Sequence, residues 1–318
     1  MPILRITVTE NGAGLHGSSA PLLPALARAL AEDDGPVTVM VHGYRYAPGT
    51  GLSCPHETLF HRAPEGMGAR IISWPRHLGL RGQRGEGLGI SFGWPARGSL
   101  WDAHRRAETA GLALSGLLDS LRDLDPGRTV NLICHSLGAR VALAAIRAGR
   151  PGAINRAVLL AAAEFAGTAQ KALRSVSGRH TQVLNVTTRE NDLFDFLFQR
   201  LVAPETRGDR MLGQGQGPAA LPNMVTLQLD DAASLQALRA AGYRIAARER
   251  LICHWSPYLR AGVFPLYGAF LSGGLGLPEL RATLPEAPAP RWSRLRRGLT
   301  MPPIATRAIG HRHGTGSR

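Results

Sequence analysis

Ser136 stands in Cys134-His135-Ser136-Leu137-Gly138, directly after the apolar, β-branched run Val130-Asn131-Leu132-Ile133 and directly before the helix-forming stretch Ala139–Ala145. A strand, a sharp turn of small residues with serine at its apex, and a helix make a nucleophile elbow. The turn lifts one hydroxyl clear of the sheet and aims the first backbone N–H groups of the helix at whatever that hydroxyl attacks. A serine hydroxyl needs a base to take its proton. Of the eleven histidines, seven lie at or before the elbow, His180 precedes an expected strand, and His311 and His313 end the chain. His135 is adjacent in sequence, but its side chain leaves the turn on a different side from the serine. His254, late in the chain and past the last expected strand, is the candidate base. The acid that orients it should lie between them, after the next-to-last strand. Asp192 in Thr188-Arg189-Glu190-Asn191-Asp192 is the expected residue, with Glu190 and Asp195 as alternatives. Two N–H donors would hold an oxyanion, that of Leu137 and that of Tyr44 in Val41-His42-Gly43-Tyr44, where Gly43 permits a sharp turn. His42, Gly43, His135 and Gly138 are expected to support this arrangement.

Strands and helices alternate along the chain. Ile3–Val8, Val37–Val41, Arg70–Trp74, Thr129–Cys134, Ala157–Ala161, Thr181–Thr187 and Met224–Leu229 read as strands. Leu22–Ala31, Leu100–Leu124 and Ala169–Val176 read as helices, the second ended by Asp125-Pro126-Gly127. Continuous apolar strands between helices imply an α/β fold with a mostly parallel sheet covered on both faces. Arg45–Ala69, Arg76–Gly98 and Ala203–Pro222 are rich in glycine, proline or polar residues and read as excursions. The stretch Ala162–His180 is too short for a large lid domain. Trp74, Trp94, Tyr44, Tyr258 and Trp255 are candidates to line an apolar acyl or aryl pocket.

The chain has 318 residues, 44% of them hydrophobic, enough for a sizeable core. Residues 1–284 read as a single domain and 285–318 as a basic, Pro/Arg-rich tail of disordered character. Seven arginines against one acid between Glu286 and Arg318 carry six of the fourteen excess positive charges. Lys171 is the only lysine, a compositional bias toward arginine that points away from nucleic acid as a partner. The tail suits, at most, weak contact with a membrane or another anionic surface. A mean hydropathy of −0.06 and the strand-like N-terminus argue against a membrane span or signal peptide, so a cytoplasmic location is expected. Cys54, Cys134 and Cys253 show neither a disulfide framework nor metal spacing. His42, His135, His254 and Asp192 lack the helical spacing of a metal hydrolase. The sequence carries no sign of oligomeric state.

These motifs resemble the α/β-hydrolase superfamily, above all its uncharacterised bacterial members: Val39-Met40-Val41-His42-Gly43-Tyr44, Ile72-Ser73-Trp74-Pro75, His135-Ser136-Leu137-Gly138-Ala139-Arg140 and Arg189-Glu190-Asn191-Asp192. The order Ser136, Asp192, His254 is that superfamily's order. The resemblance spans roughly residues 35–260 and implies an eight-stranded, mainly parallel sheet and esterase- or lipase-like hydrolysis of a small-molecule ester without a cofactor. Thioesterases, amidases and non-catalytic binding or scaffold proteins share the fold. Cys134 stands where the superfamily usually has the first glycine of Gly-x-Ser-x-Gly.

Overall fold

Alternation along the strands sorts the core into two layers. The computed structural model describes residues 3–64, 68, 70–214 and 221–285, and the tail from 286 onward lies outside the described residues. Its strands are β1 (Leu4–Thr9), β2 (Gly12–Leu15), β3 (Val37–Val41), β4 (Leu88–Gly93), β5 (Val130–His135), β6 (Arg156–Leu160), β7 (Gln182–Thr187) and β8 (Met224–Gln228). They form one sheet in the order β2-β1-β4-β3-β5-β6-β7-β8. Every pairing is parallel except that of the edge strand β2 with β1. The helices are α1 (Leu22–Glu32), α2 (Trp74–His77), α3 (Leu100–Leu124), α4 (Gly138–Ala148), α5 (Ala166–Arg174), α6 (Asp192–Leu201), α7 (Ala232–Ala240), α8 (Ser256–Leu259), α9 (Val263–Ser272) and α10 (Leu277–Thr283).

In β5, Leu132 and Cys134 face the layer of α1, α3, α4 and α5, while Ile133 faces that of α7 to α10. β3 divides the same way, with Val37, Val39 and Val41 on one side and Met40 on the other. This period of two, buried on both faces, makes the strands read as unbroken apolar runs. Among the described residues no helix is long and apolar enough to cross a membrane.

The strand expected at Arg70–Trp74 is not formed. Ser73 Oγ accepts from the Arg76 N–H at 3.2 Å, capping the short helix α2, and Pro75 sits in its first turn. Proline removes a ladder donor and fits a helix start. The strand is β4 instead, inside the expected excursion 76–98. Its large residues Leu88, Ile90 and Phe92 alternate with Gly89, Ser91 and Gly93 because one face is crowded. A Cβ at Gly89 would lie 2.5 Å from Ile3 Cδ1, and one at Gly93 would lie 2.6 Å from His56 Nε2. The edge strand β2 was not expected either; it returns from β1 through a two-residue turn, with Thr9 paired to Gly12. The helix expected at 169–176 starts earlier, at Ala166, as α5.

Helices α3 and α4 cross at small residues. A Cβ on Gly111 would meet Ala144 Cβ at 2.4 Å and the Val141 carbonyl oxygen at 2.7 Å. Gly111→Ala should therefore lower stability by about 1–3 kcal/mol, although alanine favours a helix over glycine by about 1 kcal/mol. Urea denaturation measures this; a midpoint that stays or rises would show that the helices do not cross so closely.

Candidate active site

The residues that matter lie at the C-terminal edge of the sheet. Ser136 follows β5 with φ of 55°, a left-handed conformation that costs a non-glycine residue about 1–3 kcal/mol. Its N–H donates to the Leu160 carbonyl at 2.9 Å, and its carbonyl accepts from the Ala139 and Ala163 N–H groups at 3.0 and 3.1 Å. The strained turn is thus bound to the neighbouring strand and to its own helix. Cys134, wholly buried, pairs with Val41 and Leu159 in the ladder, and burial pushes its thiol pKa up. It packs as a small core side chain.

The glycines around the elbow are forced by close approach. A Cβ on Gly138 would lie 2.5 Å from the His42 carbonyl oxygen, and one on Gly43 would lie 2.7 Å from Ser136 Cβ. The strand end at His42-Gly43 therefore passes directly against the elbow. His42 fixes that passage. Its Nε2 accepts from the Trp94 backbone N–H at 3.0 Å, so its proton is on Nδ1, 2.9 Å from the Gly43 carbonyl. The Trp94 indole donates back to the His42 carbonyl at 3.0 Å. Among the described residues neither the Tyr44 N–H nor the Leu137 N–H donates a hydrogen bond. Both residues line the same cavity as Ser136.

His254 lies on that cavity wall too. Its ring is enclosed by Phe194, stacked at 4.8 Å, and by His135 at 4.6 Å. Desolvation by burial, then the neighbouring His135, hold its pKa well below the usual histidine value. Among the described residues no hydrogen bond joins Ser136 Oγ to this ring. His135 is not positioned as the base: its Nε2–H donates to the His254 carbonyl at 3.1 Å and so anchors the loop that carries His254.

The residue that faces His254 Nδ1 is not the expected Asp192 but Asn191, whose Oδ1 is 2.6 Å away. The chain leaves β7 through a single turn of 3-10 helix over Arg189–Asn191, and Asp192 already begins α6. That turn aims position 191, not 192, at the imidazole. Of the alternatives, Glu190 turns away to a buried ion pair with Arg260 and accepts from Thr188 Oγ at 3.1 Å. Asp195 backs the asparagine: Asn191 Nδ2 donates to Asp195 Oδ1 at 2.9 Å. A carboxylate accepts only, so the amide nitrogen must face Asp195 and the amide oxygen must face the ring. That leaves the His254 proton on Nδ1 and the lone pair on Nε2.

Three further ties hold the loops together. The Cys253 N–H donates to the Glu190 carbonyl at 2.9 Å, joining the base loop to the loop after β7. Arg260 joins Glu190 to the Leu229 carbonyl. Arg140 of α4 reaches Glu164, just past β6, at 2.6 Å, where the carboxylate is buried and the guanidinium part-buried. Among the described residues no group of three or more His, Cys, Asp or Glu is arranged to hold a metal ion.

The cavity has a volume of about 590 Å³, within the range of small-molecule sites. Its walls are mostly apolar: Trp101, Phe194, Leu197, Phe198 and Trp255 line it beside Tyr44. Of the aromatics expected there, Tyr44 and Trp255 line it, whereas Trp74, Trp94 and Tyr258 are core residues exposed by 1% or less. The wall not expected from the sequence is α6, which brings Phe194, Leu197 and Phe198 to the cavity.

The parallel sheet, the serine elbow after β5 and the late histidine have the arrangement of the α/β-hydrolase fold. Residues 24–155 match the family described as "Alpha/beta hydrolase of unknown function (DUF900)", a segment that holds Gly43 and Ser136 and stops short of Asn191 and His254. No curated protein matches the chain. Among solved structures it is similar to MenH from S. aureus, at 11% identity and a TM-score of 0.30, covering 61% of this chain and 84% of that one.

His42 and His135 are buried and their pKa values are pushed down to about 4, chiefly by desolvation. The unfolded chain, with ordinary histidines near 6.5, binds more protons than the folded one across that window. Stability should therefore be full above about pH 6.5 and fall toward pH 4, by up to about 1.4 kcal/mol per pH unit for each histidine. Urea midpoints at about pH 7, 6 and 5 measure the slope, and a flat profile would contradict neutral burial of the pair.

Proposed function

We propose that the protein is a serine hydrolase that cleaves carboxylic esters through an acyl-enzyme. The observation that carries this reading is the strained Ser136 at the apex of its elbow, on the wall of an apolar cavity shared with His254. In this reading His254 Nε2 takes the hydroxyl proton as Ser136 Oγ attacks the ester carbonyl. The oxyanion lies between the Tyr44 and Leu137 N–H groups, which have no other acceptor among the described residues. The imidazolium returns the proton to the leaving alcohol, and water then releases the acid by the same route.

Asn191 takes the orienting role that Asp192 was expected to fill. A neutral amide stabilises the imidazolium less than a carboxylate would, but it can hold the correct tautomer. An unsupported asparagine could turn its NH₂ to the ring and fix the wrong tautomer, a failure worth about 10⁴ in rate in a serine protease. Asp195 prevents this by binding the NH₂ group. It acts through Asn191 and is a positioning residue.

A fluorophosphonate probe should label the folded protein at Ser136, and heating or Ser136→Ala should abolish the label. Ser136→Ala should lower turnover of a short p-nitrophenyl ester by on the order of 10⁴–10⁶. Near-wild-type turnover in that variant would overturn the proposal, and a folded protein with neither label nor turnover would favour a binding or scaffold role.

Exchanging the pair, Asn191→Asp with Asp195→Asn, keeps the charge and the hydrogen bonds but puts a carboxylate on His254 Nδ1. The acidic limb of kcat/KM should then rise by about one to three pH units, from a starting point below the usual histidine range. An unmoved limb would show that position 191 does not face the catalytic imidazole.

A further inference from the structure

Helix α6 buries Asp192, Asp195 and Phe198 and turns leucines outward. Phe194 stacks on His254, and Phe198 packs against Phe165 and His104. Leu193, Leu197 and Leu201 recur every four residues, so they form one stripe, and they are 37%, 46% and 37% exposed. An amphipathic surface helix would place polar residues there. The stripe continues into Trp101, 42% exposed, whose indole N–H donates to the Leu201 carbonyl at 2.7 Å. Leu251 and Ile252, more exposed still, stand just ahead of His254 in the chain. These six are most of the large apolar side chains exposed among the described residues. They lie on the segments that frame the Ser136 cavity.

The same rim is cationic. The Arg45 guanidinium lies 5.9 Å from the centre of the Tyr44 ring and that of Arg70 4.3 Å from Trp255. Both rings line the cavity. Among the described residues neither arginine pairs with a carboxylate. Exposed apolar residues and arginines without a carboxylate partner around one cavity match an anionic lipid surface, where apolar side chains enter the acyl boundary and cations meet headgroup phosphates. A second copy fits less well: mating two such faces would oppose like charges in a chain of net charge +14.

We infer that this face docks on anionic lipid, so that the cavity opens toward the bilayer and takes its ester from there. The choice of ester rests on the proposed hydrolase activity; the docking does not. The full-length protein should sediment with phosphatidylglycerol-containing vesicles and bind pure phosphatidylcholine weakly. A substantial part of the binding should survive about 0.5 M salt, because apolar contact is not screened as charge is. The combined variant Leu193→Gln, Leu251→Gln, Ile252→Gln, none of which lines the cavity, should weaken vesicle binding by about tenfold or more. Its turnover of a short soluble ester should match wild type. Ser136→Ala should bind vesicles like wild type, so failure of the hydrolase reading would leave this test standing. Three results would overturn the inference: no vesicle binding; binding that the triple variant leaves intact, which would assign it to the basic tail; or a dimer that the triple variant dissociates while vesicles bind neither form.

Discussion

The site depends on one close backbone passage. His42-Gly43, leaving β3, runs so near the elbow that neither Gly43 nor Gly138 has room for a Cβ. The passage brings the N–H of Tyr44 and that of Leu137 to the same cavity from two different strands. It also explains why the serine can be held with φ of 55°. Strain of this kind persists only where the surroundings over-determine it, and here the constraint comes from both ladder and loop. The Leu160 carbonyl grips the Ser136 N–H from one side. His42, locked to Trp94 by two reciprocal hydrogen bonds, fixes the other. A side chain as large as cysteine is tolerated at position 134 because it points into the helical layer, away from this passage.

A second constraint is the near absence of charge around the imidazole. His42, His135 and His254 are all held neutral by burial, and the group on His254 Nδ1 is an amide. Each histidine then does a separate job through its tautomer. His42 keeps its proton on Nδ1 for a carbonyl, His135 keeps its proton on Nε2 for the His254 carbonyl, and His254 keeps its lone pair on Nε2. The charges nearby are held in place: Asp195 sits behind the Asn191 amide, and Glu190 and Glu164 pair with Arg260 and Arg140. Removing Arg260 would leave the buried Glu190 carboxylate uncompensated, at a cost of about 3–5 kcal/mol. The worth of the two pairs here is positional, since each ties a loop of the site to the scaffold.

Much of this was legible in the sequence where a local pattern and the local structure agree. The runs at Val37–Val41 and Thr129–Cys134, the long helix Leu100–Leu124 and the turn at Ser136 all combine periodicity with distinct end signals. The reading failed where the deciding contact was distant. The glycines of β4 look like loop residues until Ile3, Pro48 and His56 are packed above them. Ile71-Ile72 looks like a strand until Ser73 caps a helix. The residue that faces His254 lies one position before the expected acid because a 3-10 turn over Arg189–Asn191 advances by about 120° per residue, and sequence carries no sign of its phase. Asn191 carries no charge to mark it in the sequence, yet orienting an imidazole requires only an acceptor of fixed direction.

That substitution also bears on how the site and its surroundings fit together. A carboxylate on His254 would need compensating donors, and the side chains of Phe194, Trp255 and the leucines of α6 that line the cavity offer none but the Trp255 indole. An amide clamped by Asp195 gives the ring its acceptor and sets the carboxylate one side chain farther back. The helix that supplies Asp195 is the helix that supplies Phe194 and Phe198 to the cavity and Leu193, Leu197 and Leu201 to its exposed face. One short segment after β7 therefore sets the tautomer of the histidine, the apolar lining of the cavity and the character of its mouth.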